Sequence, residues 1–163
     1  MQTQPIVITR TFNASPEEVQ KVWLEPEKLK KWWGPKNFTA PSIESDPRPG
    51  GKYLYAMKSP EGEVTWSTGT FKEVSPERVV TTDSFADEQG NIVPASHYGM
   101  EGIPDELLIT ATFEKQGDKT KFTLKHEGFP PGEMRDMCIA GWNESLDKME
   151  ALFKPEQRNE ASL

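Results

Sequence analysis

Apolar and polar positions change rhythm several times along the chain. From Ile6 to Phe12 they alternate, with Ile6, Ile8 and Phe12 on one side, which predicts a strand. Arg10 falls on that same side, an odd place for a guanidinium. In ASPEEVQKVWL, Ser15 is placed to cap a helix, Pro16 fits its first position and Glu18 completes a capping box. Val19, Val22 and Trp23 form the apolar side of that helix. Pro26 opens a second short helix, EKLKKWW, and Gly34-Pro35 stops it. The period then becomes two. Strands are predicted over Phe38–Ser45, Lys52–Lys58, Val64–Val74, Arg78–Phe85, Glu106–Glu114 and Thr120–Glu127. Pro-Gly punctuation at Pro47–Gly51 and Pro60–Gly62, and Ser75-Pro76-Glu77 and Gln116-Gly117-Asp118, separate most of them. The stretch from Ala86 to Asp105 breaks this spacing, and a connection of that length is as a rule functional or mobile. The last element follows Pro131-Gly132, where Met134, Cys138, Trp142, Met149 and Phe153 recur at helical spacing and Leu146 and Leu152 widen the stripe.

The order is strand, two short helices, a run of strands and one long helix, which predicts an α+β fold. A meander of six strands plus the first must curl to bury its inner face, and the long helix is the only element large enough to fill the curve. A cavity is expected wherever that filling is incomplete. Residues 1–153 are expected to form a single domain, and the polar segment 154–163 a frayed tail.

Composition narrows the partners. The chain has 163 residues, a formal net charge of -7 and a pI of about 5.0. An acidic surface repels phosphate, so nucleic acid and anionic membrane are poor partners. The lone Cys138 has no partner for an internal disulfide. The start, MQTQPIVITRTF, lacks a signal peptide's basic and apolar regions, and no stretch approaches the roughly 20 apolar residues of a membrane span. These features predict a cytoplasmic protein.

Few residues offer chemistry. His126 shares parity with Phe122 and Leu124, so it is expected on the concave side, either bonding a cavity ligand or bonded to backbone beside the last helix. His97, with Tyr98 in the long connection, is either part of a lid or a mobile surface residue. Arg10 needs an anionic ligand, an internal partner such as Asp83, or a route to solvent. Gly141, inside a helix, implies close helix–sheet packing or room for a ligand, with packing the preferred reading. Met134, Met137 and Met149 provide a pliable lining or plain core. Cys138 has no basic neighbour in sequence and reads as buried and inert. Phosphate-loop, dinucleotide, metal and serine-nucleophile motifs are all missing, so no catalytic residue, metal or cofactor is predicted.

Several motifs occur in a telling order: Arg10-Thr11-Phe12-Asn13-Ala14-Ser15-Pro16, then Pro26 to Pro35 with Trp32-Trp33-Gly34-Pro35, then Asp46-Pro47-Arg48-Pro49-Gly50-Gly51. Gly69-Thr70-Phe71, His126-Glu127-Gly128, and Gly141-Trp142 with Leu146 follow. Over about residues 5 to 153 the chain resembles the START-like or SRPBCC superfamily, the helix-grip fold shared with the birch-pollen allergen. Within it, the chain is most similar to homologues of the heat-shock protein 90 ATPase activator. The eukaryotic co-chaperone carries a further N-terminal domain that does much of the chaperone binding, and this chain has room only for the part resembling its C-terminal domain.

The resemblance implies a curved antiparallel sheet of about seven strands gripping the long helix. It also places the second short helix at the sheet's rim. Adjacent helical side chains point roughly 100° apart. One ring of the Trp32–Trp33 pair is therefore expected to plug the core and the other to line or cover a cavity mouth, unless both are core. The leading functional expectation is a binder of a small hydrophobic or amphipathic molecule. Its candidate contacts are Arg10, Trp32, Trp33, Tyr53, Tyr55, Met57, Trp66, Phe85, His97, Tyr98, His126, Met134, Cys138, Gly141 and Trp142. Trp66 and the tyrosines differ in parity, so both faces of the sheet are represented. The resemblance also implies two alternatives. One is an enzyme of cyclase, dehydratase or hydrolase type, with His126 or His97 as acid–base and Tyr98 as donor. It requires two titratable groups within hydrogen-bond reach inside one cavity. The other is a module that docks a chaperone or another protein through an exposed patch.

Overall fold

The computed structural model describes residues 4–153, and the expected tail over 154–163 lies outside the described residues. The alternating segments become β1 (Ile6–Phe12), β2 (Thr39–Ser45), β3 (Lys52–Lys58), β4 (Val64–Val74), β5 (Arg78–Ala86), β6 (Leu107–Gln116) and β7 (Lys119–Glu127). They pair antiparallel in one curled seven-stranded sheet of order β1-β7-β6-β5-β4-β3-β2. Ile6 of β1 faces His126 of β7, and β6 pairs with β7 from Leu108↔Glu127 to Gln116↔Lys119. Pro41 lacks the N–H that a ladder needs, and it sits on edge strand β2 where the register with β3 slips. A second slip, between Phe71 and Glu73, bends β4 against β5. At Gly69, an added Cβ would lie 1.9 Å from the Thr82 carbonyl oxygen and 2.5 Å from the Tyr53 ring. Only glycine lets the strands and that ring approach so closely.

Helices α1 (Pro16–Leu24) and α2 (Pro26–Leu29) follow β1. The Ser15–Glu18 capping box forms: Ser15 Oγ accepts from the Glu18 amide at 3.3 Å, and the Ser15 amide donates to Glu18 Oε1 at 3.4 Å. The second helix is shorter than the sequence suggests. The amides of both Trp32 and Trp33 bond to the Leu29 carbonyl, at 3.1 and 2.9 Å, so the last turn tightens. Gly34, at φ +100°, then turns the chain toward β2.

The long helix α3 (Glu133–Ala151) lies along the concave face, completing the helix-grip arrangement. Its buried side chains are Trp142, Ser145, Leu146 and Met149. Leu152, expected on the apolar stripe, follows the helix end and is exposed. The segment between β5 and β6 is less irregular than the sequence implied. It forms a bridge between Ala86 and Ile92, a tight turn held by Asp87, and a 3₁₀ turn at Ala95–Tyr98.

Aromatic packing fills one end of the concave face. The fully buried Trp32 donates its indole N–H to the Val22 carbonyl at 2.9 Å. Trp23 stacks on it with centroids 5.4 Å apart and meets Phe122 at 5.3 Å. Phe12, Phe71, Leu146 and Met149 are buried in the same cluster.

Candidate functional site

The helices α1 and α2 cover only part of the sheet. At the other end β3, β5 and β7 finish and β4 and β6 begin, and the concave face there is left open. A cavity of about 310 Å³ occupies that space. Its floor is built from inward positions of the strands, among them Met57, Ser67, Phe85 and Ile109. Met134, Cys138, Gly141 and Trp142 of α3 form one wall, and Trp33-Gly34-Pro35 a second. Met100, Ile103 and Pro104, from the connection between β5 and β6, form a third. The Trp33 wall is pinned to α3. Lys148 Nζ donates to the Pro35 and Phe38 carbonyls at 3.1 and 3.3 Å, and the Lys36 amide donates to Glu144 Oε1 at 3.2 Å. Burial lowers the Lys148 pKa, consistent with an ammonium drawn in against carbonyls.

One polar chain crosses this mostly apolar space. Asp83 and His126 project inward from β5 and β7, with Asp83 Oδ2 at 3.0 Å from His126 Nε2. Trp142 reaches the other ring nitrogen, its Nε1 lying 3.0 Å from His126 Nδ1. An indole nitrogen only donates, so Nδ1 must accept, and the histidine proton sits on Nε2, directed at the carboxylate. Both ring nitrogens are thus engaged. Asp83 Oδ1 lies 3.1 Å from the Tyr53 hydroxyl, which is also 3.0 Å from the Thr82 carbonyl oxygen. Burial, and then the Asp83 charge, raise the Tyr53 pKa well above its ordinary value, so Tyr53 is a proton donor here. The same two causes push the Cys138 thiol up to about 12. Cys138 Sγ lies 3.7 Å from His126 Nδ1, and the raised pKa keeps it a thiol near neutral pH.

Eight of the sequence-predicted contacts meet around this cavity: Trp33, Met57, Phe85, His126, Met134, Cys138, Gly141 and Trp142. The remaining seven do not line it. Trp32 is core, while Trp33 stands edge-on to Trp142 at the cavity wall, with centroids 5.7 Å apart. Tyr53 and Tyr55 are buried behind that wall, and Tyr55 meets the Trp33 ring edge-on at 5.0 Å. Trp66 has the wrong parity, because Thr65 and Ser67 are the β4 residues that line the space. Tyr98 is a staple: its hydroxyl bonds the Ala86 carbonyl and accepts from the Trp66 amide at 3.2 Å. His97 is exposed beside it.

Arg10 is paired with neither Asp83 nor a cavity group. It reaches across the sheet edge to α3, at 2.9 Å from Asp147 and 3.3 Å from Glu150, with the Asn143 carbonyl at 3.1 Å. β1 is an edge strand, so its inward side chains border the helix flank and not the hollow. The partner of His126 is likewise side chain, not backbone. Gly141 does not mark tight packing either. A Cβ added there would meet only Pro35, at 3.4 Å, so the glycine adjoins open space.

Sequence reasoning missed Asp83 as a cavity residue, although its shared parity with Phe85 carried the signal. It also missed Met100, Ile103, Pro104 and Phe129, which lie outside the strands and helices and have no periodicity to reveal them. Among the described residues, no group of three or more His, Cys, Asp or Glu is arranged to hold a metal. No helix among them is long and apolar enough to cross a membrane.

Solved structures share this architecture. A protein from Chromobacterium violaceum is 28% identical, with a TM-score of 0.78 over 93% of this chain and 98% of its own. One from Mycobacterium smegmatis is 24% identical, with a TM-score of 0.76 over 96% and 98%. The AHSA1 protein from Silicibacter pomeroyi is 24% identical, with a TM-score of 0.73 over 91% and 96%. No curated protein matches. The family model described as Activator of Hsp90 ATPase homolog 1-like protein matches residues 13–154. With its curled sheet, its gripped helix and a match over nearly its whole length, the chain belongs to that family of START-like proteins.

Proposed function

We propose that the chain is a cytoplasmic, single-domain binder of one small hydrophobic or amphipathic molecule, held between the sheet and α3. The observation that carries this reading is the cavity itself. At about 310 Å³ it has the size and mainly apolar lining of a small-molecule site, with a few convergent polar groups. Trp33 and Trp142 supply flat apolar area, and Met57, Met100 and Met134 a lining that adapts to shape.

The test is a titration with the neutral fluorophore N-phenyl-1-naphthylamine, read by fluorescence transfer from tryptophan. The wild type should show one saturable site. Gly141→Phe, which places a ring into the hollow, should weaken it at least about tenfold while the far-ultraviolet dichroism stays native. Absence of saturable binding, or binding indifferent to that substitution, overturns the proposal.

An enzymatic reading draws support from one specific observation: Asp83 and His126 are two titratable groups in hydrogen-bond reach inside one cavity. In that reading Asp83 is the proton acceptor, because both nitrogens of His126 are already occupied. The family description supports a chaperone-docking reading instead. Among the described residues, the exposed large apolar side chains are Val7, Val64, Ile92, Met137 and Leu152, spread from β1 to the end of α3.

A further inference from the structure

Among the described residues, no lysine or arginine is paired with the cavity's one carboxylate. Asp83 is the only acidic residue among those that line the cavity, and no lysine or arginine does. Its partners are both neutral: the Tyr53 hydroxyl, whose one proton is shared between Asp83 and the Thr82 carbonyl, and His126, where the Trp142 bond to Nδ1 leaves the imidazole a single proton on Nε2. Arg10 is bonded to Asp147 and Glu150, and Lys148 to the Pro35 and Phe38 carbonyls. The Asp83 side chain retains 18% of its exposure, and a carboxylate can accept about four hydrogen bonds, of which two are identified. A charge left in an apolar space favours any ligand that neutralises it.

The surroundings suit a cation and repel an anion. Trp33 and Trp142 line the same cavity as Asp83, and an indole face attracts an ammonium group that meets it. The Cys138 thiol pKa is raised first by burial and then by the negative charge of Asp83. The net charge of -7 draws cations toward the molecule and slows the approach of anions. A fatty acid would set its carboxylate against Asp83, and Arg10 is held by Asp147 and Glu150 instead.

Resting on the cavity-binding reading above, we infer that the ligand is a cationic amphiphile, an alkyl- or arylammonium compound whose nitrogen bonds Asp83 and whose apolar part lies along Trp33, Met57, Phe85 and Met134. His126 and Tyr53 act as positioning residues that orient the carboxylate.

Isothermal titration with three molecules of equal chain length tests this: octylammonium, 1-octanol and octanoate. In the wild type, octylammonium should bind at least about tenfold tighter than octanol, the scale of one charge-assisted hydrogen bond. Octanoate should bind weakest. Asp83→Asn should bring octylammonium and octanol within about threefold of each other. If octanol binds as well as octylammonium or better, the inference falls and the cavity reading stands. If none of the three binds, both fall. A preference for octylammonium that survives Asp83→Asn in a folded variant overturns the assignment to Asp83. The wild-type series decides the ligand's charge even if that variant does not fold.

Discussion

The two ends of α3 face very different interiors. Toward its C-terminus, Leu146 and Met149 are fully buried among Phe12, Phe122, Trp23 and Trp32. Toward its N-terminus, Met134 and Cys138 are only partly covered, Met137 is largely exposed, and the space beneath is hollow. One helix and one sheet build both ends. The difference comes from α1 and α2, which lay two indoles over the filled end and do not reach the other. Trp142 stands at the boundary, stacked 6.0 Å from Trp23 on one side and bonded to His126 on the other. Packing is therefore concentrated where the short helices add aromatic volume, and the cavity lies where they do not.

The sharpest way to break this comparison is to truncate the neighbouring tryptophans separately. Trp32→Ala removes a fully buried ring and its bond to Val22, and should cost about 3–5 kcal/mol in urea unfolding. Trp33→Ala, at the cavity wall, should cost less than about 2 kcal/mol, because its ring already borders open space. Equal losses would mean that the two ends are equally packed.

The polar chain comes next. His126→Leu leaves the Trp142 N–H and one side of Asp83 without partners, and should cost about 2–3 kcal/mol. Adding Trp142→Phe should return part of that loss, since it removes the orphaned donor. A strictly additive double mutant would show that the two rings are not coupled.

The smallest effect has the opposite sign. Gly141→Ala should stabilise the protein by about 1 kcal/mol, because helix propensity improves and the new methyl meets only Pro35 at contact distance. A destabilised alanine variant, measured by thermal unfolding, would restore the tight-packing interpretation of this glycine.

Local rules carried the fold well. The capping box at Ser15 and Glu18, the punctuation between strands and the helical stripe of α3 each involve residues close in sequence. They placed nearly every element to within about two residues. The site was only half legible. Periodicity assigned Cys138 and Trp142 to the inner stripe of α3, and parity put His126 on the concave face. Arg10 has equally good inward parity, yet belongs to the helix flank, because parity does not say where along a curved sheet a residue lies. Trp66 shows the same gap: without knowing which face curls inward, its strand could not be oriented.

The amino-acid sequence by itself determined the elements, their order and the need for a curled sheet to bury a terminal helix, since alternation, caps and turns act over a few residues. Tertiary structure alone decided that the short helices fill only one end, that Asp83 meets His126 across 43 positions of chain, and that Met100 and Ile103 line the same cavity. Those arrangements depend on the sheet's curvature and on how far each helix reaches, and neither is encoded by any short stretch of the chain.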